Sequence, residues 1–255
     1  GMGKALVLGS GGLRGGYDAG VTATLCRKLG RDYFDSIYVS SVGAYAGTFY
    51  AAGQPDIIEA VWREHSHGSL LVKPFNILKG KCVLDLDYML GLFTTPRFRL
   101  ETEPILAHPG KLTYVVTSYD TGEPKYLTPK SDEEVFLFMR ASAAIPMFHP
   151  PVIIEGKRFF DGGMTDPLPI EKALADGHEE VVVVCNRTVL KTGRLDRVMM
   201  CAIFLTYRGD LKRLKINYYN SWNRVNNALK NPRVRTIRPT TNLSFRWHLD
   251  SSKKH

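Results

Sequence analysis

The sequence predicts an α/β protein, a three-layer α/β/α sandwich around a mainly parallel central sheet. Two observations carry this. Val181-Val182-Val183-Val184-Cys185 is a nearly unbroken apolar run, the pattern of a strand covered on both faces. Short apolar runs at residues 4–9 and 36–40 are each followed by a stretch of helical pattern, at 16–29 and 43–53. Strands that alternate with helices build a parallel sheet with helices on both sides. With 255 residues, 44% of them hydrophobic, the chain can bury a full core as a single domain over residues 1–255. The motif-bearing core covers about residues 4–190, and a basic helical C-terminal extension follows over about 191–255.

The first strand ends in Gly9-Ser10-Gly11-Gly12-Leu13-Arg14-Gly15-Gly16, so it runs through a glycine-rich loop into the first helix. The second strand turns at Ser41 into a helix beginning near Gly43. Pro55 precedes a helix over 56–64, with His65 and His67 in a polar loop beyond it. Residues 84–93 have helical spacing through Leu84, Tyr88 and Leu92; with the loop 94–99 they form the segment expected to cap the site. Residues 112–119 and 125–127 form a hairpin about Asp120-Thr121-Gly122. Ser131 with Glu134 three residues on is a capping box, opening a helix that stops before Pro146. Strands at 152–154 and 158–160 flank the turn Glu155-Gly156-Lys157, and the second delivers Asp161. Pro169 starts a short helix over 170–175, ahead of the strand at 179–185. Further on, Leu211, Leu214, Tyr218, Trp222, Val225 and Leu229 make one helical stripe.

Residues 187–255 hold 16 Lys and Arg against 3 Asp and Glu, a balance of +13, while the remainder holds 18 against 22. Such asymmetry points to an anionic partner surface. The 211–229 stripe allows two arrangements. It can face lipid, with Arg208, Lys212, Arg213, Lys215 and Arg224 toward anionic head groups, or it can pack on the domain beneath a solvated basic face. The expected partner is an anionic membrane, met peripherally through residues 191–255. A nucleic acid is the weaker alternative, because no recognised motif accompanies the charge. No run approaches the ~18–20 apolar residues that span a bilayer, and no signal peptide is expected. Cys26, Cys82, Cys185 and Cys201 are scattered and read as reduced thiols. The expected location is therefore cytoplasmic, peripheral at the inner membrane surface where contact is made. No metal is expected, since His65 and His67 lack further ligands at a suitable spacing. No cofactor is expected either. Arg14 replaces the last glycine of a dinucleotide fingerprint begun at Gly9 and Gly11, and the second strand ends in serines, not in a ribose-holding acid.

Ser41 sits where a strand turns abruptly into a helix. Such an elbow strains the serine, lifts its Oγ above the sheet edge and puts helix N-terminal amides behind it. Gly43 is the small residue that the turn needs two positions on, but Val39 stands where a second glycine is usual. Gly11, Gly12 and Leu13 can aim their amides at one spot near Ser41, because glycine lets backbone approach a substrate closely. Arg14 braces that loop or meets an anionic head group. Asp161-Gly162-Gly163 adds a carboxylate on a tight turn. A nucleophile, an array of amides and a carboxylate base are the parts that serine-mediated ester cleavage requires.

These stretches, in this order, resemble the patatin-like phospholipases. The resemblance rests on Gly11, Gly12, Arg14 and Gly15, on the half-kept Gly-x-Ser-x-Gly about Ser41, on Arg140-Ala141-Ser142-Ala143-Ala144-Ile145-Pro146 with Pro150-Pro151, and on Asp161-Gly162-Gly163. It covers roughly residues 4–190 and implies a serine acyl hydrolase acting on lipid carboxylic esters, of phospholipase A or lysophospholipase type. It also implies a Ser41–Asp161 dyad without a histidine. Gly11, Gly12 and Leu13 would be the oxyanion donors, helped by the helix start at Ser41 and Val42. A triad would have to recruit His178 or His248, which follow Asp161, or His149, which does not. An ordinary aspartate, with a pKa of about 3.9, is a poor base at neutral pH, so burial is expected to raise it. Val39, Val42 and Ser10 depart from the pattern and are expected to crowd the elbow or alter the loop, narrowing the substrate range or lowering activity. The alternatives are a lipid- or acyl-binding protein of the same fold with weak catalysis, and a nucleic-acid binder.

Overall fold

The computed structural model describes residues 2–9, 15–65, 85–186 and 194–239. β1 (Met2–Leu8) is the middle strand of the parallel part of the sheet. It runs parallel to β2 (Ser36–Ser40) on one side and to β7 (His178–Val184) on the other. β7 continues to a parallel edge strand, β8 (Val234–Ile237), and β2 to β3 (Leu112–Ser118), again parallel. Beyond β3 the sheet becomes antiparallel through β4 (Pro124–Leu127), β5 (Val152–Ile154) and β6 (Lys157–Asp161). The order is β5-β6-β3-β2-β1-β7-β8, with β4 also against β3. The expected α/β sandwich with a mostly parallel sheet is therefore present.

Side chains alternate along the buried strands and feed two layers. On one face, Leu6, Leu8, Ile37, Val39, Leu112 and Tyr114 pack under α1 (Gly15–Leu29), α2 (Gly43–Ala51), α3 (Pro55–His65), α4 (Leu86–Leu92) and α6 (Asp132–Ser142); the single turn α5 (Glu103–Leu106) adds Ile105 to the same core. On the other, Ala5, Val7, Tyr38, Val181 and Val183 meet α7 (Ile170–Ala175) and the far half of α9 (Leu211–Ala228). A third cluster joins Phe160 and Met164 to α8 (Arg194–Thr206) and the first half of α9.

The local chemistry of the elements follows the sequence closely. Ser131 Oγ accepts from Glu134 N at 3.2 Å, but the Glu134 carboxylate reaches back to Lys130 N, one residue beyond the usual partner. Glu155 and Gly156 both have positive φ, 49° and 75°, as the tight β5–β6 turn requires. One reading needs correction. His65 is not in a polar loop: it is the last residue of α3, with Nδ1 3.1 Å from the Tyr88 hydroxyl. His67 and Leu84 lie outside the described residues. The stripe of α9 packs on the domain, with Leu214, Tyr218 and Val225 buried. β8 went unforeseen, because four residues flanked by arginines carry too little periodicity to be read as a strand.

Candidate active site

The register of β3 brings the two halves of the site together. β4 lies along one edge of β3, pairing Tyr114 to Thr117. The opposite edge is shared. β2 runs parallel along its first half and ends with Ser40 beside Val115, while β6 arrives from the other direction and ends with Asp161 beside Val116. Two strands thus meet nearly end to end against one ledge, and the residues just past or at their ends, Ser41 and Asp161, face each other.

Ser41 is buried, with φ at 55°. A non-glycine residue in this left-handed region costs on the order of 1–3 kcal/mol and persists only where the surroundings enforce it. Three contacts do so. A side chain at Gly43 would put its Cβ 2.7 Å from the Leu8 carbonyl carbon and the Gly9 nitrogen, so only glycine lets α2 begin this close to the end of β1. Ser142 Oγ accepts from the Ser41 amide at 3.1 Å and donates to the Val115 carbonyl at 2.7 Å, tying the elbow to the ledge. Gly47 has no Cβ where Val39 sits; any side chain there would collide with Val39 Cγ1. The crowding expected from Val39 is thereby relieved one helical turn into α2, and Val42 turns into the main core. Because Ser142 occupies the Ser41 amide, that N–H does not serve as an oxyanion donor.

Ser41 Oγ donates to Asp161 Oδ2 at 2.7 Å, and the second carboxylate oxygen accepts from Gly163 N at 2.6 Å. The Asp161 amide donates to the Ala144 carbonyl, its carbonyl accepts from Thr117 Oγ1 at 2.9 Å, and Thr117 Oγ1 also meets Thr165 Oγ1 at 2.8 Å. Gly162 lies so close to the Val115 carbonyl that a Cβ would overlap it. Burial pushes the Asp161 pKa up to about 7, against the opposing hydrogen bonds from Ser41 and Gly163. Desolvation disfavours the charged form, and here it outweighs two donors. Next along the chain, Asp166 is also raised, to about 6, chiefly by desolvation. Its carboxylate accepts from Tyr126, and its carbonyl from Ser40 Oγ at 2.9 Å. Arg224 of α9 donates to the Thr165 carbonyl at 2.6 Å.

Gly43, Gly162 and Gly163 therefore do steric and hydrogen-bonding work at the elbow and the turn. Gly15 is the first residue of α1, while Ser10, Gly11, Gly12, Leu13 and Arg14 lie outside the described residues. Among the described residues no histidine hydrogen-bonds Ser41 or Asp161. His178 is buried at the other end of the sheet, with Nε2 2.9 Å from the Tyr38 hydroxyl, and His149 Nδ1 lies 2.7 Å from Pro150 O; His248 is outside the described residues. No cluster of three His, Cys, Asp or Glu side chains among the described residues could hold a metal. Sequence reading missed Ser142, Thr117, Thr165 and Arg224 as supports. Ser142 lay in a stretch singled out beforehand, and Arg224 was expected on a basic face, toward head groups or solvent; it turns instead to the Thr165 carbonyl.

Residues 6–174 match the family model for the patatin-like phospholipases. Among curated proteins, the chain is 29% identical over 188 residues to the uncharacterized protein YjjU of Escherichia coli, which covers 72% of this chain and 52% of YjjU. It is 31% identical over 170 residues to the Mycobacterium bovis protein Mb1092c, named as an uncharacterized NTE family protein, covering 65% of this chain and 44% of that one. The chain thus spans about half the length of the curated relatives it matches. Among solved structures, VipD from Legionella pneumophila aligns with a TM-score of 0.45 at 14% identity, over 78% of this chain and 52% of VipD.

Proposed function

The chain belongs to the patatin-like phospholipase family, and on that premise we propose that it is a serine acyl hydrolase that cleaves carboxylic esters of lipids through Ser41 and Asp161. Family and fold support a lipid acyl hydrolase in general. The specific reading rests on one observation: a buried, strained serine whose Oγ lies 2.7 Å from a buried aspartate.

Asp161 takes the Oγ proton as Ser41 attacks the ester carbonyl. The negative charge that develops on the carbonyl oxygen is met by backbone amides, for which Gly11, Gly12 and Leu13 are the assigned donors. The tetrahedral intermediate collapses to an acyl-Ser41 ester, and Asp161 returns its proton to the departing alcohol. Water then attacks the acyl group with Asp161 again as base; the Oγ–acyl bond breaks, Asp161 returns the proton to Ser41 Oγ, and the carboxylic acid leaves. A carboxylate titrating near 7 suits both tasks at neutral pH, since it can accept a proton and give it back. The hydrogen bond from Gly163 fixes one oxygen and leaves the other aimed at Ser41.

A fluorophosphonate probe, which phosphonylates activated serines, tests this assignment. The native protein should be labelled and Ser41→Ala should not. Equal labelling of the two would end the assignment of Ser41.

A further inference from the structure

With the α9 stripe turned inward, another apolar surface is left in solvent. Leu205 on α8 is 78% exposed, Ile153 on β5 65%, and Met147 56%. Val198 is also exposed, two turns before Leu205 on α8. Met147, Ile153 and Leu205 border one place. An open depression of about 390 Å³ is lined by Tyr119, Thr206, Tyr207 and residues 146–151. Met147 is part of its wall, and Leu205 directly precedes Thr206 and Tyr207. Ile153 pairs with Arg158, whose guanidinium lies 4.3 Å from the centre of the Tyr119 ring.

The rim of this face carries cations, of which Arg158 is paired with Asp120, and Glu155 is exposed in the turn beside Lys157. Lys157, Arg158 and Arg208 are exposed, and Lys215 lies 5.3 Å from the centre of the Phe204 ring, next to Leu205. Arg208 hydrogen-bonds the Leu205 and Tyr207 carbonyls, which holds its guanidinium beside the exposed leucine. Isolated exposed apolar residues need no explanation, but several around one depression, rimmed by cations, mark an interaction surface. The depression is also near the chemistry: Pro146, in its wall, follows by two residues the Ala144 whose carbonyl holds the Asp161 amide.

We propose that this face, with Met147, Ile153 and Leu205 at its centre and Lys157, Arg208 and Lys215 at its rim, is where the protein sits on an anionic phospholipid surface. The proposal rests on the hydrolase reading, because a lipid ester must reach a serine that is itself buried. Apolar side chains entering the head-group layer, with cations beside them, have the composition of an interfacial lipid contact. The cations Lys157, Arg208 and Lys215 beside the apolar side chains select anionic lipid over neutral lipid.

Vesicle flotation tests it, using phosphatidylcholine alone and phosphatidylcholine with phosphatidylglycerol. The wild type should float with the anionic vesicles and not the neutral ones, and raised salt should release it. Leu205→Asp and Ile153→Asp alter exposed positions and should fold normally, as circular dichroism would verify, yet bind anionic vesicles about tenfold more weakly. Variants that bind as the wild type does would overturn the proposal, since cations alone would then carry the binding. So would a wild type that ignores anionic vesicles. A wild-type dimer that Leu205→Asp dissociates would do so too, since a second copy would then cover the face. Fluorophosphonate labelling of the wild type separates the two claims. Labelling without flotation removes the docking face and leaves the hydrolase; flotation without labelling does the reverse.

Discussion

Ser41 and Asp161 face each other across less than 3 Å, but different parts of the chain hold them. The Ser41 elbow is steric and local. Gly43 lets α2 start against the end of β1, Gly47 makes room for Val39, and Ser142 ties the amide. All of these lie within the residues that match the family. The Asp161 turn shares the β3 ledge, but it also leans on residues beyond the match. Phe160 and Met164 pack against Met200, Ile203, Phe204, Leu214 and Tyr218, and Arg224 bonds the Thr165 carbonyl. The nucleophile is thus shaped by close backbone approach, and the acid by a close approach at Gly162 together with packing and polar contacts from the C-terminal helices. Faults on the first side should disrupt geometry outright; faults on the second should be graded.

The largest effect is expected from removing the acid. Asp161→Asn should lower kcat by roughly 10²–10⁴-fold, while His149→Ala and His178→Ala should each keep most of it. A histidine variant that falls as far as Asp161→Asn would replace the dyad with a triad. Stability should move the other way. The ordinary aspartate value is 3.8 and the folded one about 7. Between those values the folded state holds a proton that the unfolded chain has lost, so stability declines as pH rises through that window. The decline approaches ~4 kcal/mol at about 1.36 kcal/mol per unit. Asparagine can keep both hydrogen-bond partners without the charge. Thermal melts should therefore show Asp161→Asn more stable than wild type at pH 8, with the two converging near pH 4, and the wild-type rate should climb with pH on a limb near 7. A rate that is flat from pH 5 to 8 would break this account of Asp161.

The steric side should fail next. Gly43→Ala places a Cβ 2.7 Å from backbone atoms of Leu8 and Gly9 that cannot swing aside. Overpacking of this kind costs about 1–3 kcal/mol, and a displacement of roughly 1 Å at the nucleophile is enough for a ~10²-fold loss of rate. Gly20→Ala is the control, because a Cβ there meets nothing within 4 Å in the middle of α1. It should be neutral or stabilising by up to about 1 kcal/mol. If both variants melt and turn over alike, close approach is not what shapes the elbow.

How much of this was legible beforehand follows the same division. Ser41, Gly43 and Asp161-Gly162-Gly163 were readable, because a strand-to-helix turn and a tight turn after a strand leave local marks. The apolar run at 181–185 revealed the buried strand for the same reason. The shared edge of β3 was not readable. Which strands border Val115 and Val116 depends on pairings across more than 40 residues, and no short motif encodes them. Val39 was expected to crowd the elbow, since the compensating gap at Gly47 is visible only when α2 is laid on β2. The α9 stripe carried identical periodicity whether it faced lipid or core. Phe160 and Met164 beneath its first half, and the sheet with α7 beneath its far half, decide for the core.

Arg224 tests the acid side and should give the smallest effect. Its guanidinium donates to the Thr165 carbonyl and also lowers the pKa of Asp166, which desolvation drives upward. Arg224→Ala should leave that carbonyl short of a donor, a loss of about 1–3 kcal/mol where the group stays buried. Thr165 is joined through Thr117 to the Asp161 carbonyl, so a shift there should reach the base. The expected outcome is a kcat lowered about tenfold, with KM for a small soluble ester little changed and the acid limb of the pH profile moved. Arg224→Lys keeps a cation and a donor, and should recover part of the rate. A variant that melts earlier but keeps both kcat and the position of the limb would show that α9 is only packing. The C-terminal helices would then have no part in setting the acid, and the two sides of the site would both be products of the family-matched core.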